Sequence, residues 1–486
     1  MFGTSGVRGI VNEEISCKLA MQIGNAAGVM ANAQNRGKGD GGLTGGKGKN
    51  NAAAHAQGMA GGNDGEAQGG NSGNARAKII VARDCRTSGP MLSFSFMAGA
   101  MQAGADVIDI GIVPTPALSF ACMREKCIGA MITASHNPPQ YNGIKLFFEG
   151  REFSLEWEKE IEGKVKEGME TVSWGSAGQF SKNHGALEAY KKFILSLVDV
   201  ALIKKRKPRV AVDCGNAAAS VLMPALLREA GCEVEGLFCE PSGMPKRGLE
   251  PSKENLAELC ALVEKEKADI GIAHDGDADR AVMVDEGGKM LGLDAQLGVM
   301  VRYLLQKKKG VIVSTVESSL SLREIVRHEG GTLEITPVGS LHVAQKVREK
   351  NAVFGGEPCG EYVFADALPC PDGPLAALFF LQILAEKGSL AKLAGEVKTY
   401  PIAREKFACA NGKKKAALEK IKKALSKIEG SRNEMDGLRI DFKEGWLLVR
   451  PSGTEPFMRL TCECKTQKKL GEICKIAREE IENAVA

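Results

Sequence analysis

The chain has 486 residues, of which 44% are hydrophobic and 26% charged, so it has room for about three or four domains with cores of their own. A net charge of +4 and an aromatic content of 5% do not indicate a nucleic-acid-binding protein, which would carry a basic stripe with interleaved aromatics. No apolar run approaches the ~18 residues of a membrane span, and no signal pattern opens the chain, so we expect a cytoplasmic protein with no membrane partner. Because no two cysteines are spaced Cys-x-x-Cys, we expect the thiols to be reduced.

The first segment opens with a glycine-rich loop that carries Arg8, whose guanidinium matches the oxygens of a phosphate. A helix is predicted from about Ser16. Residues 34–77 then change to Gly, Asn and Ala, without Val, Ile or an aromatic residue. Such a composition cannot bury enough apolar area to offset the entropy of ordering, so it predicts a disordered insertion.

From residue 79 onward, short apolar strands alternate with helices, which is typical of a parallel α/β sheet. The strands predicted in this part of the chain are Ile79–Ala82, Asp106–Gly111, Cys127–Ile132 and Gly143–Phe148. A helix is predicted over about Met91–Ala103. Open α/β sheets usually bind ligands at the carboxyl ends of their strands, so the loop after Ile132 is a candidate site.

That loop reads Thr133-Ala-Ser-His-Asn-Pro138. A hydroxyl on Ser135, beside the imidazole of His136 and ten residues before the amine of Lys145, is a candidate activated nucleophile. The alternative is an ordinary turn in which the Ser and Asn side chains cap backbone groups. These residues alone leave both interpretations open.

Further α/β domains follow. A second begins after the basic linker Lys204–Pro208, with strands at Arg209–Asp213 and Glu233–Phe238. A third domain is predicted to begin near Pro251, and its strand Ala268–Ala273 leads into a run of alternating aspartates. The predicted boundaries are 1–153, 154–250, 251–398 and, for a small C-terminal α+β domain, 399–486.

The alternating aspartates are Asp275, Asp277 and Asp279. In an extended loop their carboxylates share one side, and three carboxylates so placed suit a hard divalent cation such as Mg²⁺. The alternative is a solvated acidic loop. A calcium EF-hand does not fit, because Arg280 occupies the position that requires glycine. A phosphatase that uses an Asp-x-Asp sequence would have Thr or Val at position 279.

Two later loops are candidates for binding a phosphosugar. Glu357, on a glycine-flanked turn, can receive sugar hydroxyls, although a plain hairpin turn explains it equally well. The loop Arg450-Pro-Ser-Gly-Thr-Glu455 offers a guanidinium fork, two hydroxyls and a glycine whose N–H can approach an anion closely. We interpret this second loop as a phosphate-binding loop rather than an ordinary Pro-Ser-Gly turn.

Taken together, these loops resemble the α-D-phosphohexomutase superfamily. The matching sequences occur in the family's order along nearly the whole chain: Gly3-Thr-Ser-Gly-Val-Arg-Gly9, Thr133-Ala-Ser-His-Asn-Pro138, Asp275-Gly-Asp-Ala-Asp-Arg280, Gly356-Glu-Pro-Cys-Gly360 and Arg450-Pro-Ser-Gly-Thr-Glu455. The resemblance implies three similar α/β domains with mixed sheets around a central cleft, plus a C-terminal α+β domain. It implies interconversion of a hexose 6-phosphate and 1-phosphate through a sugar 1,6-bisphosphate, by a monomer or homodimer.

The resemblance also implies roles for individual residues. Ser135 would be the phosphoserine and would share one Mg²⁺ with Asp275, Asp277 and Asp279. Lys145 would act as general acid or base, with further catalytic roles for Arg8, His136 and Arg280. The substrate would be bound by residues of the two later loops and their surroundings, namely Gly339, Glu357, Cys359, Arg450, Ser452, Gly453, Thr454 and Arg459.

Departures from the family pattern lie near the sugar. Cys359 stands where many members have Ser, Glu361 where several have His, and Ser340 where His or Asp is frequent. Archaeal-type phosphoglucosamine mutases are the nearest resemblance, with phosphomannomutase/phosphoglucomutase and then phosphopentomutase as alternatives. A carboxylate favours an ammonium over a hydroxyl, so we expect Glu361 to favour glucosamine phosphate. A catalytically silent phosphosugar-binding protein and a phosphatase are the alternatives of other classes.

Overall fold

The computed structural model of the protein describes residues 6–37, 76–453 and 456–485. The chain divides into two compact units. The first unit comprises residues 1–291 and 361–391, and the second comprises 292–360 and 392–486. No helix in the described ranges is both long enough and apolar enough to cross a membrane.

The first unit contains a sheet of seven strands and a sheet of four strands. Its helices are α1 (Cys17–Gly37), α2 (Gly89–Gln102), α3 (Thr115–Glu125), α4 (Leu155–Glu167), α5 (Ala186–Leu195), α6 (Val200–Arg206), α7 (Met223–Glu229), α8 (Ala257–Glu266) and α12 (Gly373–Lys387). Its strands are β1 (Val7–Ile10), β2 (Lys78–Arg83), β3 (Asp106–Ile112), β4 (Ile128–Ile132), β5 (Tyr141–Phe148), β6 (Arg151–Glu152), β7 (Phe180–Lys182), β8 (Arg209–Asp213), β9 (Glu233–Leu237), β10 (Ile270–His274), β11 (Ala281–Val284) and β15 (Tyr362–Phe364).

The seven-stranded sheet has the order β1-β5-β4-β2-β3-β7, and β6 pairs with β5. Parallel pairing joins β2 to β3 and β4, whereas β1 and β4 are antiparallel to β5, so the sheet is mixed as expected. All five residues of β4 are buried, because the strand lies inside the sheet and helices α1 and α2 supply much of the surrounding core. This position fixes where the following loop begins.

The four-stranded sheet has the order β11-β10-β8-β9 and contradicts one predicted boundary. Ile270 to Ala273 in β10 pair with Val210 to Asp213 in β8, so these strands share one sheet. The boundary at residues 250 and 251 is therefore wrong, because hydrophobic periodicity identifies a strand without identifying its hydrogen-bond partner. Residues 361–391 also fall in the first unit, where α12 packs against α5, α6 and β11.

The second unit holds the remaining elements. Its helices are α9 (Leu293–Lys307), α10 (Leu320–His328), α11 (Ser340–Glu349), α14 (Lys414–Ala424) and α15 (Gln467–Val485), and helix α13 (Leu390–Gly395) leads into it. Its strands are β12 (Val311–Thr315), β13 (Thr332–Thr336), β14 (Phe354–Gly356), β16 (Ile402–Ala408), β17 (Ser431–Asn433), β18 (Leu438–Phe442), β19 (Gly445–Pro451) and β20 (Phe457–Cys464). Strand β12 is parallel to β13 and β14, and the C-terminal sheet is antiparallel in the order β16-β20-β19-β18-β17.

The predicted insertion at 34–77 is only partly within the described residues. Helix α1 continues to Gly37, so the start of the predicted insertion is helical instead. Ala77 is 6% exposed and belongs to the hydrophobic core, so the predicted insertion also extends too far at its C-terminal end. Residues 38–75 lie outside the described residues. Most of the 14 cysteines are buried, and the others are partly buried.

Candidate active site

Ser135 lies in the loop that follows β4 and is 2% exposed. Its backbone has a φ of 50°, in the left-handed region that non-glycine residues rarely adopt. The Thr133 hydroxyl accepts a hydrogen bond from the Ser135 N–H (2.9 Å) and donates one to Asp84 (2.7 Å). These contacts hold Ser135 in a conformation that the sequence alone would not favour.

Arg86 fixes the same loop from the other side. Its guanidinium donates to the carbonyl oxygens of Ser135 (2.8 Å) and Asn137 (2.7 Å) and forms an ion pair with Asp84 at 3.0 Å. It also donates to the carbonyl oxygen of Pro138 (2.7 Å). One buried cation therefore binds several carbonyl groups of the loop at once, which keeps the loop in a single shape.

The three aspartates of the loop after β10 are buried and meet Ser135. Asp275 and Asp277 are 0% exposed and Asp279 is 4% exposed, and one oxygen from each lies within 4.8 Å of the others. The Ser135 hydroxyl donates to Asp275 Oδ2 at 2.6 Å and lies 3.3 Å from His136 Nδ1. The predicted nucleophile and the predicted metal ligands therefore form one cluster.

Lys145 belongs to the same cluster. Its Nζ donates to Asp277 Oδ2 at 2.9 Å and to Asp279 Oδ2 at 3.0 Å, and the residue is 3% exposed. Burial alone would lower the pKa of Lys145, but the two aspartates outweigh it and raise that pKa. Burial likewise opposes ionisation of Asp277, yet Lys145 and the Thr115 hydroxyl hold the pKa of Asp277 below its usual value.

The carboxylates fit a divalent cation. Asp277 Oδ1 and Asp279 Oδ1 are buried and accept no hydrogen bond from any residue in the described ranges. Burial and then the neighbouring Asp279 and Asp277 raise the pKa of Asp275, because three carboxylates in one site repel each other. A hard cation would satisfy the two bare oxygens and relieve the repulsion, while Lys145 keeps the Oδ2 atoms.

Arg8 and His136 lie around this cluster. Arg8 is in β1, opposite Gly143 of β5, and its buried Nε has no hydrogen-bond partner among the residues that the structure describes. Burial and then the charge of Arg280 lower the pKa of His136 to about 4, so its imidazole is neutral at pH 7. A neutral imidazole can donate one hydrogen bond and accept another.

Arg280 is held by two carboxylates. Its Nε donates to Glu361 Oε1 at 3.0 Å, and its Nη1 donates to both oxygens of Glu250 at 2.9 and 3.0 Å. The charge of Glu361 is therefore balanced within the protein. The expectation that Glu361 favours an amino sugar through its charge loses its physical basis, because that carboxylate already binds a guanidinium.

In the second unit the structure brings together two predicted sugar-binding residues. Glu357 follows β14, is 4% exposed, and its Oε2 accepts a hydrogen bond from the Gly339 N–H at 3.2 Å. Gly339 precedes α11 with a φ of 129°, which glycine tolerates and other residues rarely adopt. Cys359 is half-buried three residues before β15.

The predicted phosphate loop connects β19 to β20. Arg450 and Arg459 are directly opposite each other in the antiparallel register. Arg450 Nε donates to Glu317 Oε1 at 2.9 Å. Glu317 balances part of the positive charge of this pair. Directly opposite residues lie on the same face of a sheet, so the two guanidinium groups are placed where both can bind one anion.

The rest of that loop is partly described. Ser452 is 4% exposed, its N–H donates to the Phe457 carbonyl at 2.9 Å, and its own carbonyl accepts from Lys414 Nζ at 2.7 Å. Gly453 is exposed. The prediction for Thr454 lies outside the described residues.

Sequence reasoning missed three residues of the first unit. Thr115 at the start of α3 donates to Asp277 Oδ2 at 2.6 Å, Arg86 shapes the serine loop, and Glu250 binds Arg280. The only available signal was Arg86, in a polar run directly after a predicted strand. Thr115 and Glu250 stand in segments whose sequence does not indicate a ligand or a partner.

Comparisons with known proteins identify the family of this chain. Models of the phosphoglucomutase/phosphomannomutase family match in chain order: alpha/beta/alpha domain I at residues 39–172, domain II at 188–288, domain III at 293–400 and the C-terminal domain at 405–480. A probable phosphoglucosamine mutase of Methanopyrus kandleri is 37% identical over 97% of this chain and 95% of its own. A phosphoglucomutase/phosphomannomutase of Thermococcus kodakarensis is 35% identical over 100% and 99%.

Among solved structures, a phosphoglucomutase/phosphomannomutase family protein of Burkholderia thailandensis superposes with a TM-score of 0.82 at 26% identity. The match covers 99% of this chain and 97% of that one. The three α/β domains and the C-terminal domain expected from the sequence are those of the family models. The chain therefore belongs to the phosphoglucomutase/phosphomannomutase family of the α-D-phosphohexomutase superfamily.

Proposed function

We propose that the protein interconverts glucosamine 6-phosphate and glucosamine 1-phosphate through a phosphoserine at position 135. The observation that carries this proposal is the Ser135 hydroxyl, 2.6 Å from Asp275 within a buried cluster of three carboxylates and Lys145. Phosphoryl transfer needs little covalent chemistry from a protein, and is favoured by positioning and by neutralisation of charge. The cluster supplies both.

In the first half-reaction the phosphoryl group leaves Ser135 Oγ and bonds to a hydroxyl oxygen of the sugar phosphate, which gives a 1,6-bisphosphate. In the second, the other phosphoryl group returns to Ser135 Oγ. Because its pKa is raised, Lys145 starts as an ammonium, so it gives a proton to the Ser135 oxygen as the phosphoryl group leaves and takes the proton of the attacking hydroxyl. Arg8, His136 and Arg280 surround the transferring group. Burial of Ser135 and Lys145 keeps water away from the phosphoryl group, which disfavours hydrolysis.

Asp275, Asp277 and Asp279, with an oxygen on Ser135, would hold Mg²⁺. When bound, the cation supplies positive charge that stabilises the developing charge on the phosphoryl oxygens. We assign Arg450, Ser452, Gly453, Thr454 and Arg459 to the phosphate that is not transferred, and Glu357, Gly339 and Cys359 to the sugar hydroxyls. A monomer or a homodimer is compatible with these assignments.

Intact-mass analysis of the purified protein tests the phosphoserine. Wild-type protein should carry one phosphoryl group that is absent in Ser135→Ala, and the variant should retain its melting temperature while losing turnover. A variant that isomerises sugar phosphates at a rate near that of wild type, with added bisphosphate, would show that Ser135 is not the phosphoryl carrier. A phosphatase would instead release inorganic phosphate, and a silent binding protein would show no turnover of any sugar phosphate.

The sugar is tested separately. The alternative is phosphomannomutase/phosphoglucomutase activity, which is favoured by the name of the Thermococcus kodakarensis relative. Glucosamine is supported by the Methanopyrus kandleri relative, which is named a probable phosphoglucosamine mutase, and not by the charge of Glu361. Measuring kcat/KM for glucosamine, mannose and glucose 1-phosphates should give the highest value for glucosamine 1-phosphate, by about tenfold, or ~1.4 kcal/mol. A higher kcat/KM for mannose or glucose 1-phosphate would show that the protein is a phosphomannomutase/phosphoglucomutase instead.

A further inference from the structure

Arg280 has two carboxylate partners that differ in how firmly they are held. The Glu361 side chain is 12% exposed, and its residue also pairs with Arg280 through an isolated antiparallel backbone bridge. The Glu250 side chain is 41% exposed and binds Nη1 of Arg280 with both oxygens. Glu361 is thus a fixed anchor of the guanidinium. The Glu250 backbone carbonyl accepts hydrogen bonds from the Ser252 N–H and from Asn255 Nδ2, both at 2.8 Å, but its carboxylate is kept in place by side-chain contacts alone.

Glu250 also reaches the residue next to the nucleophile. Its Oε2 lies 3.5 Å from His136 Nε2, and the opposite ring nitrogen of His136 lies 3.3 Å from Ser135 Oγ. One carboxylate therefore contacts His136, which lies beside the Ser135 hydroxyl, and Arg280, whose backbone N–H donates at 3.3 Å to the Asp275 carboxylate that accepts from that hydroxyl. A carboxylate and a phosphoryl group both present a fork of anionic oxygens to a guanidinium.

We propose that Glu250 is a placeholder for the phosphoryl group, occupying its place on the Arg280 guanidinium while Ser135 carries no phosphate. The proposal rests on the phosphoserine function proposed above. When Ser135 is phosphorylated, its phosphoryl oxygens take over the donors, and the Glu250 side chain turns out to solvent. Glu361 stays on Arg280 throughout and keeps the guanidinium aimed.

The backbone around Glu250 allows this exchange without a movement of the loop. Leu249 and Pro251 on either side are buried, so the main chain is held while the side chain between them is accessible. Swinging one side chain costs a rotamer change, whereas moving the loop would expose two apolar residues. The exchange is therefore a local competition between two anions for the same hydrogen-bond donors.

The placeholder has a measurable consequence, because an incoming anion must displace Glu250 only when Ser135 is unphosphorylated. With protein whose lack of phosphate is verified by intact mass, glucose 1,6-bisphosphate should bind Glu250→Gln about tenfold more tightly than wild type. Glu250→Asp keeps the charge but shortens the reach to Arg280, so it should also bind more tightly than wild type. Both affinities are measured in buffer without Mg²⁺, so that no phosphoryl group is transferred during the measurement. With protein phosphorylated on Ser135, neither variant should differ from wild type in binding glucose 1-phosphate.

Glu361→Gln is the matched control, since it removes one negative charge from the same guanidinium without vacating the proposed place. The affinity of unphosphorylated Glu361→Gln for glucose 1,6-bisphosphate should exceed that of wild type by less than about threefold, or should be lower. Equal gains in Glu250→Gln and Glu361→Gln with none in Glu250→Asp would reduce the effect to net charge and overturn the proposal, as would unchanged affinity in Glu250→Gln. If wild-type protein neither accepts phosphate on Ser135 nor isomerises sugar phosphates, the function fails instead, whatever the binding shows.

Discussion

At the scale of single residues, the approach of the serine loop to the aspartate loop depends on a missing side chain. A Cβ atom added at Gly276 would lie 2.2 Å from the carbonyl oxygen of Ser135. That distance is far inside van der Waals contact, and the clashing atom is backbone, so one of the two loops must shift. Gly276 is therefore the residue that permits the distance of 2.6 Å between Ser135 Oγ and Asp275 Oδ2.

Gly276→Ala should lower kcat/KM by at least about a hundredfold, because a displacement near 1 Å at a reacting group is enough for such a loss. Gly163→Ala is the control, since no atom lies within 4 Å of its added Cβ and the residue is inside α4. That control should keep full activity and gain about 0.5–1 kcal/mol of stability from helix propensity. Full activity in Gly276→Ala would show that the loops are not in such close contact.

At the scale of elements, Asp372 begins helix α12 and has an unusual environment. Its Oδ1 accepts hydrogen bonds from the Leu375 N–H (2.9 Å) and the Tyr190 hydroxyl (2.7 Å). Its Oδ2 is buried and has no partner in the described part of the chain. Burial raises the pKa of Asp372 to about 6, because the hydrogen bonds to one oxygen do not compensate for the lost hydration.

A carboxyl whose pKa is higher in the folded state stabilises the fold when protonated, below its unfolded pKa of ~3.9, and loses that contribution as the pH rises through about 6. Asp372→Asn keeps the helix cap without the titration. Between pH 5 and pH 7, the stability of wild type relative to this variant should fall by about 1 kcal/mol, measured by urea unfolding at both pH values. A difference that stays constant or increases would contradict the raised pKa.

The elements themselves were largely predictable, whereas their partners were not. The apolar run before Ser135 predicted β4, and the run before Asp275 predicted β10, because a fully buried strand needs an unbroken apolar sequence. The pairing of β10 with β8 depends on backbone hydrogen bonds that no side chain encodes, so the boundary at 250 and 251 was misplaced. The contact between Arg280 and Glu361 was not predicted either, because 81 residues separate them and no sequence pattern links the two.

At the scale of the whole molecule, the proposed metal site should couple to the stability of the fold. Its carboxylates follow β10 of the four-stranded sheet, while Ser135 follows β4 and Lys145 lies in β5 of the seven-stranded sheet of the same unit. A cation that binds only the folded arrangement stabilises it by RT ln(1 + [L]/Kd), or about 2.7 kcal/mol at a hundred times Kd. The bare oxygens Asp277 Oδ1 and Asp279 Oδ1 make this gain available to Mg²⁺.

Adding Mg²⁺ to protein stripped with EDTA should therefore raise the melting temperature and restore turnover together. Asp277→Asn should reduce both responses, because it removes one of the three charges and one anionic ligand. The matched control is Asp366→Asn, which changes an exposed aspartate of the same unit and should respond to Mg²⁺ like wild type. Full turnover in metal-free buffer would refute a catalytic cation, whereas a rise in melting temperature of equal size in Asp277→Asn would place the binding site elsewhere in the molecule.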